Sequence, residues 1–317
     1  MKTKAFAAVL LLGMGAAHPQ GYPVRPVRAI VGFAAGGQID GITRIVTARM
    51  AENLKQTIVV ENRPGAGSSM ATEVVARSTP DGYTVYFATN SVAVNHVLTP
   101  KTSPDPVKNF TPVSLIATAE SVLLVNAAVP ARSVSELIAW TKKAGNVNYA
   151  TTGLGTPAYL GMEFLKHQTG MRADMVLYKD VGQAGMDAAS GRVQLWMTLL
   201  TPSLPLIQTG KLRPLAVSGP KRMASLPDVP TFREIGFPTL QAASWYAILA
   251  PAGTPREPVA RLAAEAKRAL GYDDVKQKLA TLAIEPAGTS AEEVSRVIKD
   301  EMERIRLLVK LGALKPE

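Results

Sequence analysis

Residues 29–67 decide the fold, and they read AIVGFAAGGQIDGITRIVTARMAENLKQTIVVENRPGAG. The apolar run at 29–31 predicts a short buried strand, and the glycine-containing segment 33–37 predicts a tight turn after it. Apolar residues then recur at helical spacing from Ile42 to Leu54, which predicts an amphipathic helix. The stretch therefore begins with a strand, a glycine loop and a helix.

The same order repeats immediately. Residues 57–60 are apolar and β-branched and predict a second strand, and 62–67 form a second glycine loop. Ser68 or Ser69 is suited to cap the helix that follows. Repeated strand–loop–helix units predict an α/β protein with a parallel sheet, in which ligands bind at the carboxyl ends of the strands and anions at the helix N-termini. Tight glycine turns also occur where no ligand binds, so this pattern alone leaves both interpretations open.

Short sequence motifs along the whole chain identify a family. The sequence resembles the extracytoplasmic substrate-binding receptors of tripartite tricarboxylate transporters, the TctC-type or Bug family. Each motif is short, but the ordered set covers essentially the whole chain after its amino terminus. The resemblance lies in residues 36–40 (GGQID), 59–67 (VVENRPGAG), 80–84 (PDGYT), 148–153 (NYATTG), 176–179 (VLYK), 226–231 (LPDVPT) and 245–255 (WYAILAPAGTP).

The resemblance implies a type II periplasmic binding protein-like fold, in which two α/β domains with two crossover connections enclose a ligand cleft. It implies a small organic carboxylate as ligand, held by loop amides without an arginine clamp, and the large and small membrane subunits of a transporter as partners. By position, one jaw of the cleft comprises Phe33, Ala34, Ala35, Gly36, Gly37, Asp40, Asn90 and Ser91, and the other comprises Thr151, Thr152, Gly155, Thr156 and Tyr178. Two of these positions have simpler explanations: Asp40 as a helix cap, and Tyr178 as a half-buried aromatic residue at a strand end.

Two positions depart from the family pattern. Asp180 and Val181 follow Tyr178-Lys179, where the family usually has two glycines, and Gln194 stands where the family usually has an acid. The first change adds a charge near the cleft and the second removes one. The identity of the ligand is therefore open, although Gln194 favours a plain carboxylate over an amino acid.

The amino terminus has the pattern of a secretory signal. Lys2 and Lys4 precede a short apolar run at 5–12, and small residues at 15–17 suit a signal peptidase. We expect a signal peptide at 1–17, cleavage after Ala17 and a periplasmic protein. The sequence has no cysteine for a lipid anchor and no later apolar run of the ~20 residues that a membrane-spanning helix needs.

Composition excludes several other classes of function. The 317 residues carry a formal net charge of +10, but the basic residues are dispersed, which argues against nucleic-acid binding. No cysteine is present, and the three histidines lack metal-ligand spacing, so we expect neither a metal site nor a cofactor. We expect a monomer with one domain at 18–123 and 236–317 and the other at 124–235.

One alternative comes from a different class of function. Residues 153–158 (GLGTPA) match G-x-G-x-x-A, the dinucleotide-binding fingerprint, and Asp180 follows at about the spacing of a ribose-binding acid. An exported α/β enzyme that binds a nucleotide cofactor is the resulting hypothesis. The same loop suits a carboxylate equally well.

The rest of the chain predicts further elements. We expect an irregular connection over 99–112, one continuous strand over 113–125 that passes between the domains, a helix at 231–235 and a return strand at 242–250. A helix at 134–144 capped by Ser133, and carboxyl-terminal helices at 256–269, 272–282 and 290–311, are also predicted.

Overall fold

The structure, a computed structural model, describes residues 21–316. The predicted signal peptide at 1–17 lies outside the described residues. The strands are β1 Val27–Val31, β2 Ile58–Asn62, β3 Thr84–Thr89, β4 Phe110–Ala119, β5 Ser121–Asn126, β6 Asn148–Thr151, β7 Asp174–Leu177, β8 Leu195–Leu199, β9 Leu212–Val217, β10 Ser244–Pro251 and β11 Glu285–Pro286. The helices are α1 Gln38–Leu54, α2 Ser69–Ala76, α3 Ser91–Leu98, α4 Val134–Lys143, α5 Pro157–Thr169, α6 Val181–Ser190, α7 Leu200–Gln208, α8 Arg256–Gly271, α9 Asp273–Thr281 and α10 Ala291–Lys310, with a single 3₁₀ turn at Ala66–Ser68 before α2.

The strands form two sheets, which confirms the predicted two-lobed α/β fold. The first sheet has the order β11-β4-β10-β3-β1-β2, and the second has the order β7-β6-β8-β5-β9. In the first sheet β1 runs parallel to β2 and β3, and in the second β6 runs parallel to β7 and β8. The loops after β1 and β6 therefore lie at the carboxyl ends of parallel strands, and both open a helix.

Alternating side chains build a core on each face of the first sheet. Ala29 and Val31 pack toward α1, α8 and α9, whereas Ile30 packs on the other side among residues of α2, α3 and α10. The second sheet is covered in the same way, with Tyr149 facing α4 and α5 and Trp196 facing α6. One apolar cluster runs from the first lobe into the second, so the lobes share part of their core.

The chain changes sheets at Glu120. We predicted one strand over 113–125, but Glu120 is unpaired and separates β4, which pairs with β10, from β5, which pairs with β8 and β9. The chain returns to the first sheet with β10, which begins at Ser244. The domain bounds of 18–123, 124–235 and 236–317 stay a prediction.

Three local predictions were wrong. No helix forms at 231–235, because the backbone there turns and the Phe232 N–H bonds the Val217 carbonyl oxygen instead. The segment 99–112 is not irregular throughout, because β4 already begins at Phe110. Helix α3, whose first turn carries the β-branched residues Val92 and Val94, was missed.

Candidate ligand-binding cleft

Two adjoining chambers lie between the sheets. The larger, of about 940 Å³, is bounded by α3, the loop after β6 and the carboxyl-terminal residues 312–315, and we call it the apolar chamber. The smaller, of about 500 Å³, is bounded by the ends of β6 and β8 and the start of α7, and we call it the strand-end chamber. Their shared residues form the junction: Gln38, Thr152, Thr156, Pro157 and Ser244.

The first jaw is the loop between β1 and α1, and Asp40 holds it in place. The Asp40 carboxylate accepts hydrogen bonds from the Gly36 N–H at 2.9 Å, from Asn62 Nδ2 at 3.0 Å and from Arg44 Nε at 3.0 Å. Asn62 Nδ2 also donates to the Phe33 carbonyl oxygen at 3.0 Å. Burial alone would raise the pKa of the Asp40 carboxyl, but the bonds from Arg44, Gly36 and Asn62 outweigh it and lower the pKa.

These bonds decide which amides of the first jaw are free. The Gly36 N–H is taken by Asp40, and the Gly37 N–H points to the Ala34 carbonyl oxygen at 3.3 Å. Helix α1 begins directly after Gly37, so the N–H groups of Gln38 and Ile39 have no intrahelical acceptor. Both residues line the apolar chamber, and they rather than Gly36 and Gly37 supply the free backbone donors.

The second jaw is the loop between β6 and α5. Thr156 is the N-cap of α5, where its hydroxyl accepts a hydrogen bond from the Tyr159 N–H at 3.2 Å and donates to the Gly153 carbonyl oxygen at 3.0 Å. Pro157 occupies the first helical position, where a missing N–H carries no penalty. The positive end of α5 thus reaches the junction, as does that of α1.

The junction also offers uncharged side-chain donors. Gln38 Oε1 accepts a hydrogen bond from the Tyr246 hydroxyl at 2.6 Å, which leaves Nε2 to donate. Among residues 21–316, Gln38 Nε2 and the Thr152 hydroxyl have no protein partner. In the described chain Lys315 is the sole charged residue that lines either chamber. Arg44 lines neither, because its guanidinium pairs with Asp40.

The predicted site residues divide into three groups. The apolar chamber is lined by Phe33, Gly37, Asn90, Ser91, Thr152, Gly155 and Thr156, and the strand-end chamber is lined by Gly36 and Thr151. Ala34, Ala35, Asp40 and Tyr178 line neither. Burial raises the pKa of the Tyr178 phenol, as does its hydrogen bond to Asp187 Oδ2 at 3.1 Å, so Tyr178 supports the lobe from within.

Other lining residues were missed. Ser244 and Tyr246 come from β10, which sequence reasoning treated as a packed crossing strand. Leu154 and Met175, which are 46% and 40% exposed, line the apolar chamber, and the carboxyl-terminal segment 312–315 closes one side of it. Only Leu154 lay inside a stretch already assigned to the cleft; no local signal marks the others.

A family model described as tripartite tricarboxylate transporter family receptor matches residues 42–314. The chain belongs to this receptor family. The match covers the second sheet, every strand of the first sheet except β1, and α10, so it agrees with most of the architecture and not with one motif.

Relatives of this receptor match it along most of their length. Protein BugT of Bordetella pertussis is 32% identical over 286 residues, which are 89% of this chain and 88% of BugT. The structure of MatC from Rhodopseudomonas palustris with bound malate is 31% identical, with a TM-score of 0.72 over 91% of this chain and all of MatC. The structure of R. palustris Rpa4515 with adipate is 34% identical, with a TM-score of 0.77 over 93% of this chain and all of Rpa4515.

The family assignment makes this protein a receptor rather than an enzyme, and the geometry agrees. In a dinucleotide-binding loop the second glycine leaves room for the pyrophosphate. Here a Cβ on Gly155 would meet Val94 Cγ1 of the first lobe at 2.5 Å, so that space is occupied by protein. Asp180 is the N-cap of α6 and accepts a hydrogen bond from the Gln183 N–H at 2.9 Å.

Of the positions that depart from the family pattern, Asp180 and Gln194 lie outside the chambers and Val181 lines the strand-end chamber. Gln194 Oε1 accepts a hydrogen bond from the Asn148 N–H at 2.8 Å, and Gln194 Nε2 donates to the Gly191 carbonyl oxygen at 2.9 Å. This side chain therefore joins the start of β6 to the turn between α6 and β8. Within 21–316 no cluster of histidine and acidic side chains could hold a metal ion, and no helix there is long and apolar enough to span a membrane.

Proposed function

We propose that this receptor binds an organic carboxylate at the junction of the two chambers. The observation that carries the proposal is the convergence there of two helix N-termini, α1 and α5, with the free donors of Gln38 and Thr152. Helix N-termini stabilise anions through their free N–H groups and partial positive charge. The malate of the MatC structure and the adipate of the Rpa4515 structure are carboxylates, which supports the same ligand class here.

The carboxylate is held without an arginine clamp. The N–H groups of Gln38 and Ile39 and the side chains of Gln38 and Thr152 act as donors, while Asp40 keeps the first jaw in shape. Backbone amides in a closed cleft need no reorganisation when the anion enters, so they recognise charge at a low entropic cost. Phe33, Gly155, Thr156 and the other predicted residues that line the chambers surround this anion site.

The physiological setting follows from the family and from the amino terminus. The receptor is exported to the periplasm through the signal peptide at 1–17, acts as a monomer and passes its ligand to the large and small membrane subunits of a tripartite transporter. Its two lobes close on the ligand by bending at Glu120 and near Ser244, where the chain changes sheets. Such hinge closure is usual for two-lobed ligand-binding proteins.

The test is a thermal-shift and calorimetry screen of the purified mature chain against monocarboxylates, dicarboxylates, tricarboxylates and acidic amino acids, with the neutral amide of each hit as the matched control. A ligand at a hundredfold its dissociation constant stabilises the fold by about 2.7 kcal/mol. We expect at least one carboxylate to bind and its amide not to bind. Equal binding of acid and amide would contradict an anion site.

A Gln38→Ala variant locates the site. It removes the Nε2 donor at the junction, and Gln56→Ala, on the outer groove beside β2, serves as its control. We expect weaker binding of the acid by roughly tenfold for Gln38→Ala, as for loss of one hydrogen bond to a charged group, and no change for Gln56→Ala. If both variants bind alike, the anion lies elsewhere.

A further inference from the structure

The walls of the apolar chamber are hydrocarbon over most of their area. Val94 and Leu98 come from α3, Leu154 from the second jaw, Met175 from β7 and Leu314 from the carboxyl-terminal segment. Leu154 and Met175 are exposed although both line this concave chamber. Apolar surface left open in a concave site is typical of a place where an apolar ligand group binds.

Polar groups around this chamber are already engaged by the protein. Asn90 Nδ2 donates to the Ala243 carbonyl oxygen at 3.3 Å, and its Oδ1 accepts from the Trp245 N–H at 2.9 Å. The Tyr159 hydroxyl donates to the Ala313 carbonyl oxygen at 3.1 Å. A polar group that already has a protein partner gains little free energy from a hydrogen bond to a ligand. A polar ligand atom that displaced this partner would leave the partner without a hydrogen bond, which is unfavourable.

Asn95 and Thr99 are engaged in the same way. Asn95 Nδ2 donates to the Gly67 carbonyl oxygen at 2.8 Å, and the Thr99 hydroxyl donates to the Asn95 carbonyl oxygen at 2.8 Å. Free uncharged donors are therefore concentrated at the junction, where Gln38 and Thr152 lie. The chamber beyond it offers hydrocarbon and the ammonium group of Lys315.

The distribution of charge limits the ligand further. Lys315 is exposed and is the sole charged residue of the described chain that lines either chamber. One carboxylate at the junction is matched by two helix ends, but a second or third carboxylate would lose its hydration against apolar walls with the exposed Lys315 as its sole ionic partner. Burial of an unpaired charge is strongly unfavourable.

We propose that the preferred ligand of this receptor is a monocarboxylate with a bulky apolar body, such as a phenyl ring or a medium-length alkyl chain. This inference rests on the proposed carboxylate-binding function and names the ligand class. The carboxylate lies at the junction, and the apolar body fills the chamber lined by Val94, Leu98, Leu154 and Met175. Small hydroxylated dicarboxylates and tricarboxylates bind more weakly, because they leave this chamber wet and bring charges that it does not match.

Calorimetry with five probes tests the proposal: phenylacetate, octanoate, acetate, malate and citrate. We expect phenylacetate or octanoate to bind at least tenfold more tightly than the other three, a difference of about 1.4 kcal/mol. We also expect a negative heat-capacity change for that ligand, the mark of apolar burial. If malate or citrate binds most tightly, the inference is overturned while carboxylate binding stands. If none of the five binds, the inference is overturned, and the wider carboxylate screen described above decides whether the carboxylate function stands.

A matched pair of methionine variants shows whether the apolar chamber is used. Met175→Gln places a polar side chain of similar length in the chamber, and Met186→Gln makes the same change on α6, where Met186 is 71% exposed and lines neither chamber. We expect phenylacetate affinity to fall about fivefold in Met175→Gln, acetate affinity to stay within about twofold, and Met186→Gln to match the parent protein. An equal loss for phenylacetate and acetate would overturn the assignment of the apolar body to this chamber.

Discussion

Gly155 of the second lobe lies so close to Val94 of the first that a Cβ at position 155 would stand 2.5 Å from Val94 Cγ1. Gly155 has no positive φ, so the glycine is required by this approach and not by its own backbone conformation. The contact joins the second jaw to α3, and it lies on the wall of the apolar chamber. The closeness of the two lobes thus depends on the absence of one methyl group.

Gly155→Ala should keep the lobes from closing fully on a ligand. The added methyl group cannot fit beside Val94, so we expect about a tenfold weaker affinity for the bound acid with little change in the free energy of unfolding. Calorimetry and small-angle scattering with saturating ligand measure both effects. Val94→Ala in the same chain should restore closure, and Gly271→Ala, where a Cβ meets nothing within 4 Å, is the control. Full affinity in Gly155→Ala would show that this contact does not limit closure.

Asp40→Asn should loosen the first jaw. The neutral amide cannot satisfy the Gly36 N–H, Arg44 and Asn62 together, so we expect a loss of stability of about 1–3 kcal/mol at pH 7. Chemical denaturation measures the loss, with Asp273→Asn, whose side chain is 91% exposed, as the control. An equal, small effect in both variants would exclude an anchoring role for Asp40.

The loss in Asp40→Asn should also depend on pH. The folded-state pKa of the Asp40 carboxyl lies below its ordinary value, so its contribution to stability is fully present above about pH 4 and declines as pH falls through the folded-state pKa. The stability curves of the parent and the variant should therefore converge at the acid end. A difference that persisted unchanged at low pH would mean that the charge of Asp40 is not what matters.

Glu61→Gln tests a second acid-sensitive pair. Arg28 donates to Glu61 through Nε at 2.7 Å and Nη2 at 3.0 Å across β1 and β2, and this bond, helped by Arg63, lowers the pKa of Glu61 to about 2. Both partners are partly exposed, so we expect the variant to lose only about 1 kcal/mol at pH 7. The loss should shrink between pH 4.5 and about pH 2, because the lowered pKa stabilises the fold only where the carboxylate is ionised. Glu73→Gln, in a more exposed pair, should show almost no effect.

Tyr159→Phe should release the carboxyl-terminal wall of the cleft. The lost hydrogen bond to the Ala313 carbonyl oxygen should weaken the hold on residues 312–315 by about 0.5–1.5 kcal/mol and speed their amide hydrogen exchange. Burial, followed by the nearby Glu163, raises the pKa of Tyr159 to about 12, so the parent bond should persist at pH 10. Tyr272→Phe, which loses a bond to Asn53 far from the cleft, should leave this exchange unchanged.

Export can be tested on the natural chain. Protein recovered from the periplasmic fraction should begin near His18, because the segment before it has the order of a signal peptide. Amino-terminal sequencing or intact mass gives the answer. Recovery of periplasmic protein that retains Met1 would reject cleavage after Ala17.

The strand, loop and helix order at 29–67 and around 148–169 could be predicted because it depends on local patterns. Apolar spacing, glycine turns and the N-cap residue Thr156 act over a few residues, so they are legible in the sequence. The ordered motifs also identified the family, which the match over 42–314 confirms. Predictions failed where pairing with distant strands sets the ends of an element. At Glu120 an apparently continuous strand is divided, because the part before it pairs with β10 and the part after it pairs with β8.

The candidate site shows the same division. Sequence alone predicted both loops as jaws of the cleft, but tertiary structure decided that Gly36 gives its N–H to Asp40, that Gln38 and Ile39 keep theirs, and that Asp40 supports the loop from behind. It also brought Tyr246, Met175 and Leu314 into one cavity with α3, although they lie far apart in the chain. Hydrogen-bond partners and cavity walls are set by which surfaces meet after the chain crosses twice between sheets, and no local pattern encodes that meeting.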